Sequence, residues 1–249
     1  MPATTRSRSG QPCVARQVEP VTTVALTRPD VGSLGLALEA EGALVVRVPL
    51  IEIAPPADCG AALDTELGRL DEFDWLAVTS ANGARAVGRA AAEHPRVKLA
   101  AVGLRTAAAL AALAGREVDL VPADQRAAGL VAAFPPAPGR VLVAQADRAG
   151  GELVDGLLEL GADVTTVEAY RTLPRTPSAE ELAILDTADA IVLASPSAVD
   201  SLVAALRVPP TVRIVALGPT TATAASRLGL DPVVSASPAD SDVVAAVFG

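Results

Sequence analysis

Apolar positions in this chain come as short runs that repeatedly give way to helical spacing. VTTVALTRP (21–29) predicts a strand ending in Thr27-Arg28-Pro29, and SLGLALEAEG (33–42) a helix with a terminal glycine. ALVVRVPLIEIAP (43–55) is one long β-rich run closed by Pro55-Pro56, and a helix fits 58–70 with Asp58 as its N-cap. Strands at 75–79, 97–102 and 117–121 then alternate with helices at 82–93, 104–114 and 126–134, up to the Pro-Pro-Ala-Pro-Gly punctuation at 135–139. The pattern restarts with a strand at 140–145, a helix at 150–160 and a second long β-rich run, ADVTTVEAYRTLP (162–174). Helices at 178–186, 197–207, 220–228 and 239–248 alternate with strands at 190–194, 212–217 and 232–235. Such regular alternation predicts an α/β protein, mostly parallel sheet with helices on both faces.

The restart is a duplication. Ser80 and Ser195 lie 115 positions apart, as do Gly103 and Gly218, and VKLAAVGLRTAAALAALAG (97–115) aligns with VRIVALGPTTATAASRLGL (212–230) at that offset. EGALVVRVP (41–49) sits against LGADVTTVE (160–168), 119 apart. The chain therefore reads as two copies of one unit, about 21–135 and 140–249. Each copy holds one β run too long for a compact interior strand, so each run is expected to leave one domain and enter the other. That gives a discontinuous domain one at 21–47 plus 175–249, linker strands at 48–54 and 164–174, and domain two at 55–163. Residues 1–20 read as a disordered tail. A cleft lies between the domains, and strand ends face it. WLAVTSANGARAVG (75–88) and AIVLASPSAVDSLV (190–203) each run from a strand through a serine into a helix, the place where open α/β proteins put ligands.

Composition narrows the chemistry. Half of the 249 residues are hydrophobic but only 2% are aromatic, so Ala, Val and Leu must build the core. A net charge of −9 argues against nucleic acid, which needs a basic face. It leaves room for a small anion, because local backbone donors outweigh a distant surface charge. Cys13 and Cys59 match no metal or redox spacing, and no apolar stretch is long enough to span a bilayer. The opening MPATTRSRSGQPCVARQVEP lacks the apolar core of a secretory signal, so a cytoplasmic protein is expected. With His94 as the only histidine, a Ser–His–Asp triad or a multi-histidine zinc site has no supply. Neither GxxxxGK[ST] nor GxGxxG occurs. Hydroxyls, amides, arginines and carboxylates remain.

FDWLAVTSANGARAV (73–87), AVGLRTAAAL (101–110), VTTVEAYRT (164–172), IVLASPSAV (191–199) and VALGPTTATAA (215–225) together resemble the uroporphyrinogen-III synthase family, over nearly all of 24–247. The resemblance implies two flavodoxin-like domains joined by a two-stranded linker, with the site in the cleft. It implies a lyase that cyclises hydroxymethylbilane, a linear tetrapyrrole with eight carboxylates, through an azafulvene and a spiro intermediate. The last pyrrole is inverted and water is lost, giving the type III macrocycle; unaided closure gives type I. It also implies no metal, no organic cofactor, no nucleic acid and no membrane. A stand-alone monomer is expected, with the upstream bilane-forming enzyme as a candidate partner.

Tyr170, the only tyrosine, matches the family's tyrosine in the second linker run and is the candidate catalytic residue, its hydroxyl placed to hydrogen-bond the leaving hydroxyl. Ser80, Asn82 and Gly83, and Ser195 and Ser197 with Pro196 shaping their turn, are candidate carboxylate contacts that serve equally as helix caps. Gly218, Thr220 and Thr221 combine a close backbone approach, a proline helix start and two hydroxyls. Their repeat partners Gly103-Leu104-Arg105-Thr106 are expected to be structural. Arg28 and Arg148 follow strands and suit carboxylates. The family often has a glycine soon after the strand near 145, whereas AQADRAGG delays it to Gly150. His94 is expected to be a solvated helix-end residue and Trp75 a core residue. A two-domain hinge-binding module that senses an anionic metabolite without changing it fits the same plan, and so does a nucleotide-using α/β enzyme, less well for want of a glycine-rich loop.

Overall fold

The computed structural model describes residues 21–237 and 239–249, so the tail expected at 1–20 lies outside the described residues. Two five-stranded sheets organise them. The first holds β1 (Thr23–Leu26), β2 (Leu44–Arg47), β8 (Ala190–Leu193), β9 (Arg213–Ala216) and β10 (Pro232–Val234), in the order β10-β9-β8-β1-β2 and parallel throughout. The second holds β3 (Ile51–Ala54), β4 (Trp75–Val78), β5 (Lys98–Ala101), β6 (Arg140–Ala146) and β7 (Asp163–Pro174), in the order β3-β7-β6-β4-β5. Only β3 runs antiparallel to its neighbour. The helices between them are α1 (Gly32–Ala40), α2 (Ala61–Leu67), α3 (Ala81–Glu93), α4 (Leu104–Ala114), α5 (Ala127–Ala133), α6 (Glu152–Glu159), α7 (Ala179–Thr187), α8 (Pro196–Ala205), α9 (Pro219–Arg227) and α10 (Asp240–Phe248).

Both sheets have the doubly wound order in which the second strand flanks the first and the third lies on its other side. In the first sheet those strands are β1, β2 and β8; in the second they are β6, β7 and β4. Each sheet therefore takes strands from both sequence copies, and the copies match in detail. The Asp74 carboxylate accepts from the Arg140 amide at 2.8 Å, and Asp189, 115 residues later, accepts from Thr23 at 2.7 Å. Ser80 (φ −153°, ψ 158°) and Ser195 (φ −157°, ψ 157°) are superposable caps, and Gly103 and Gly218 share φ near −170°.

The core explains the alternation. β4 and β8 are buried along their whole length, as strands covered on both faces must be. Leu76 and Val78 face one cluster with Val87, Leu110 and Leu142, while Trp75 and Ala77 face another with Leu130, Leu153 and Leu157. Ile191 and Leu193 pack with Val199 and Leu202, and Ala190 and Val192 with Leu34 and Val243. Few aromatics are needed because small residues bring helices close: a Cβ on Gly88 of α3 would stand 2.5 Å from the Leu113 Cβ of α4. Trp75 is buried edge-on against Phe134, centroids 5.0 Å apart, with Lys98 Nζ over its ring. His94 departs from expectation: it is half-buried, its Nδ1 3.0 Å from Asp71 Oδ2 but out of line for a hydrogen bond.

Three local differences have simple causes. The run 43–55 divides at Val48-Pro49-Leu50, where the proline has no N–H to give a ladder. The expected strand 117–121 reduces to one bridge, Leu120 to Ala100. The helix expected at 58–70 begins at Ala61 and ends at Leu67, followed by a 3₁₀ turn at Leu70–Glu72. Asp58 still serves it, accepting from Gly60 at 2.9 Å and Ala62 at 2.7 Å, which holds its carboxyl below the usual range.

The two long runs join the sheets. Beyond β2 the chain stays beside β1, Val48 and Leu50 donating to Leu26 and Thr27, and then crosses as β3. β7 pairs with β6 up to Tyr170, then with β3 from Arg171 to Pro174. Both therefore leave from the C-terminal ends of their sheets, which turns those ends toward a common linker. Arg175 fastens the exit, its Nη1 donating to Pro49 O and to Glu181 Oε2 at 2.9 Å each. Glu181 completes a capping box with Ser178 at the start of α7. Arg175 first, then the Ser178 amide, hold the Glu181 carboxyl below its ordinary value. A depressed carboxyl stabilises the fold fully above the ordinary glutamate value of about 4.3, and the contribution fades as pH falls through the lower folded value. Glu181→Gln is expected to cost about 1 kcal/mol at neutral pH, read by urea denaturation, with the difference from the parent shrinking in acid.

Candidate functional site

In the second sheet the strand order reverses between β6 and β4, which opens a crevice at their C-terminal ends. Ser80 ends its strand extended and its Oγ accepts from the Gly83 amide at 3.0 Å. Gly83 fits tightly there, since a Cβ would lie 3.1 Å from Val78 Cγ1 and 3.4 Å from Ala144 O. Asn82 Oδ1 accepts from Arg85 at 2.8 Å. The cap uses one donor, and the Ala81 and Asn82 amides on the first turn of α3 have no partner among the described residues. Across the crevice Arg148 is 76% exposed, its Nε 3.9 Å from Asp147.

The first sheet reverses between β1 and β8. Thr27 is fully buried and bonds Val192 O at 2.8 Å. Arg28 beside it is largely covered and folded back, Nη2 3.3 Å from Asp30 Oδ1. Ser195 caps α8 by accepting from Ala198 at 3.3 Å, and half-buried Ser197 receives the Ser201 hydroxyl on its carbonyl. An arginine and a serine thus stand at each reversal point, Arg148 with Ser80 and Arg28 with Ser195.

One strand further out the copies diverge. The Gln125 side chain closes the α4 N-terminus, its Oε1 accepting from Leu104 N at 2.9 Å. At the α9 N-terminus no side chain of the described residues bonds a first-turn amide, and a Cβ on Gly218 would meet nothing within 4 Å. Thr220 is exposed beside it, while Thr221 is 3% exposed and packs inward, as Thr106 does in the other copy.

Tyr170 lies on the linker strand at the mouth of the second sheet. The β6–β7 register shifts there, Gln145 facing Glu168 and Ala146 facing Tyr170, so Ala169 is an extra residue. The ring packs against the cluster containing Val167 and Ala169, and no hydrogen bond to its hydroxyl is found among the described residues. Sequence reasoning missed Gln125, Asp147 and Arg47; the last donates to Pro29 O beside Arg28. Among the described residues no group of three or more His, Cys, Asp or Glu side chains is placed to hold a metal ion. No helix among the described residues is long and apolar enough to cross a membrane. A cavity of about 920 Å³, lined by Leu206–Thr211 and Leu228–Asp231, opens at the opposite end of the first sheet, away from every residue above.

Comparison with known proteins bears on this arrangement. The family model for uroporphyrinogen-III synthase HemD matches residues 33–245. A curated uroporphyrinogen-III synthase from Synechococcus elongatus is 35% identical over 150 residues, 57% of this chain; the chain spans 55% of that relative's length. Uroporphyrinogen-III synthetase from Helicobacter pylori superposes with a TM-score of 0.63 at 14% identity, over 90% of this chain and 97% of that one. A mutant uroporphyrinogen III synthase from Thermus thermophilus gives 0.59 at 19% identity, over 90% and 96%. At these identities the two structures attest the fold. With the family model covering the second sheet and every strand of the first but β1, this chain belongs to the uroporphyrinogen-III synthase family.

Proposed function

We propose that this chain is a uroporphyrinogen-III synthase, cyclising hydroxymethylbilane to uroporphyrinogen III with inversion of the terminal pyrrole and loss of water. The observation that carries the reading is the family match over 33–245, which takes in the second sheet's crevice, the Ser195 side of the first and the linker strand bearing Tyr170. In this reading 21–47 with 175–249, and 55–163, are two domains hinged on 48–54 and 164–174. Free amides at the starts of α3, α8 and α9, with Arg28 and Arg148, hold the substrate's carboxylates. The Tyr170 hydroxyl gives its proton to the leaving hydroxyl as the pyrrole nitrogen lone pair expels it, so that the C–O bond breaks and water departs; the phenolate recovers a proton from the one that ring closure releases. Peptide carbonyls along the linker stabilise the cationic azafulvene. The remaining task is orientation, since a held chain closes in one geometry and a free one in another. The reading extends to a cytoplasmic monomer that receives its substrate from the bilane-forming enzyme.

The test generates hydroxymethylbilane in situ, adds the protein, oxidises the products and separates the porphyrin isomers by chromatography. Type III product above the no-protein control is expected. Type I alone from a folded protein would overturn the assignment.

A further inference from the structure

Asp147 stands where β6 stops and β7 continues. In a parallel pair the next donors and acceptors of β7 would lose their partners at that point. Asp147 supplies both: its amide donates to Tyr170 O at 3.1 Å, and its Oδ1 accepts from Thr172 N at 3.2 Å. The two bonds straddle Arg171, two residues beyond the bulge at Ala169. A bulge turns the following side chains relative to the strand before it, so the aim of Tyr170 depends on how the strand is held just after it. The Asp147 side chain is 19% exposed, consistent with a carboxylate turned onto the strand rather than into solvent. On the opposite edge Thr172 pairs with Ile53 of β3, so this clamp also fixes where the linker departs from the sheet.

We infer that Asp147 is a positioning residue for Tyr170, its carboxylate bond to the Thr172 amide holding the tyrosine in its working direction. The inference rests on the role proposed for Tyr170, and the test separates the two. Because Tyr170 is the only tyrosine in the chain, replacing tyrosine by 3-fluorotyrosine during expression gives a single ¹⁹F resonance. Asp147→Ala removes the acceptor and keeps the amide; Asp147→Asn keeps an acceptor of the same reach. In Asp147→Ala the resonance is expected to shift and broaden, and kcat to fall on the order of tenfold with KM nearly constant, inside the hundredfold that a misplacement of about 1 Å costs. Asp147→Asn is expected to restore the resonance and most of kcat. An unmoved resonance with parental kcat in a folded Asp147→Ala protein overturns the proposal, as does an Asp147→Asn protein impaired as severely as Asp147→Ala. If Asp147→Ala does not fold, Asp147→Glu carries the test, since one added methylene displaces the carboxylate from the Thr172 amide. Failure of the tyrosine's own role shows differently, as parental turnover in Tyr170→Phe whatever the resonance does in the Asp147 variants.

Discussion

Tyr170→Phe is expected to slow type III formation about a hundredfold, the scale for losing one well-placed donor to a developing leaving group. The fold should not notice the change. The ring that packs against the Val167 and Ala169 cluster is retained, and no buried partner is left without its hydrogen bond. Stability is therefore expected to stay within about 0.5 kcal/mol of the parent. Substrate binding should change little, because the proposed carboxylate contacts lie on other elements, so the loss is expected in kcat rather than KM. As the catalysed rate drops, unaided closure takes a larger share and the type I fraction rises. Parallel measurement of isomer ratio, single-turnover rate and denaturant midpoint checks all three. A fully active Tyr170→Phe protein would remove the tyrosine from the mechanism.

The architecture was legible because it was written twice. Any one strand–helix pair in an alanine-rich chain is ambiguous, but serines and glycines recurring at one offset constrain each other, and Ser80 with Ser195 and Gly103 with Gly218 have matching backbone angles. Helix 104–114 appears as expected because Gly103 and Gly115 punctuate both ends. Less legible was anything set by a contact across the fold. Pro49 signals a break in 43–54, yet the chain's continued pairing beside β1 comes from the Leu26 and Thr27 carbonyls. Adjacent threonines at 220 and 221 look equivalent in sequence; one helical step sends the first to solvent and the second into the core. Gln125 and Asp147 belong to no motif. Each acts by reaching a backbone amide 21 or 25 residues away, and local patterning holds no trace of such a partner.

Gly218→Val is expected to raise KM about tenfold to a hundredfold with kcat nearly unchanged, the scale of one lost hydrogen bond to a charged group. Gly218 is extended at φ −170°, a conformation open to any residue and suited to the position before Pro219. A side chain there enters open space, so the cost to the fold is limited to a poorer helix cap, about 1 kcal/mol. What it covers is the first turn of α9. Ala222 N is satisfied by Gly218 O and Pro219 has no N–H, which leaves the amides of Thr220 and Thr221 for a substrate carboxylate. The repeat supplies the control. At Gly103 the same donor is already taken by Gln125, and a Cβ would sit 2.6 Å from its Oε1. Gly103→Val should therefore lower the denaturant midpoint and leave KM near the parent's. Steady-state kinetics on both variants decide the point: a parental KM in folded Gly218→Val would mean that the α9 terminus carries no carboxylate. Equal KM effects at the two positions would mean that the duplicated halves bind alike despite Gln125.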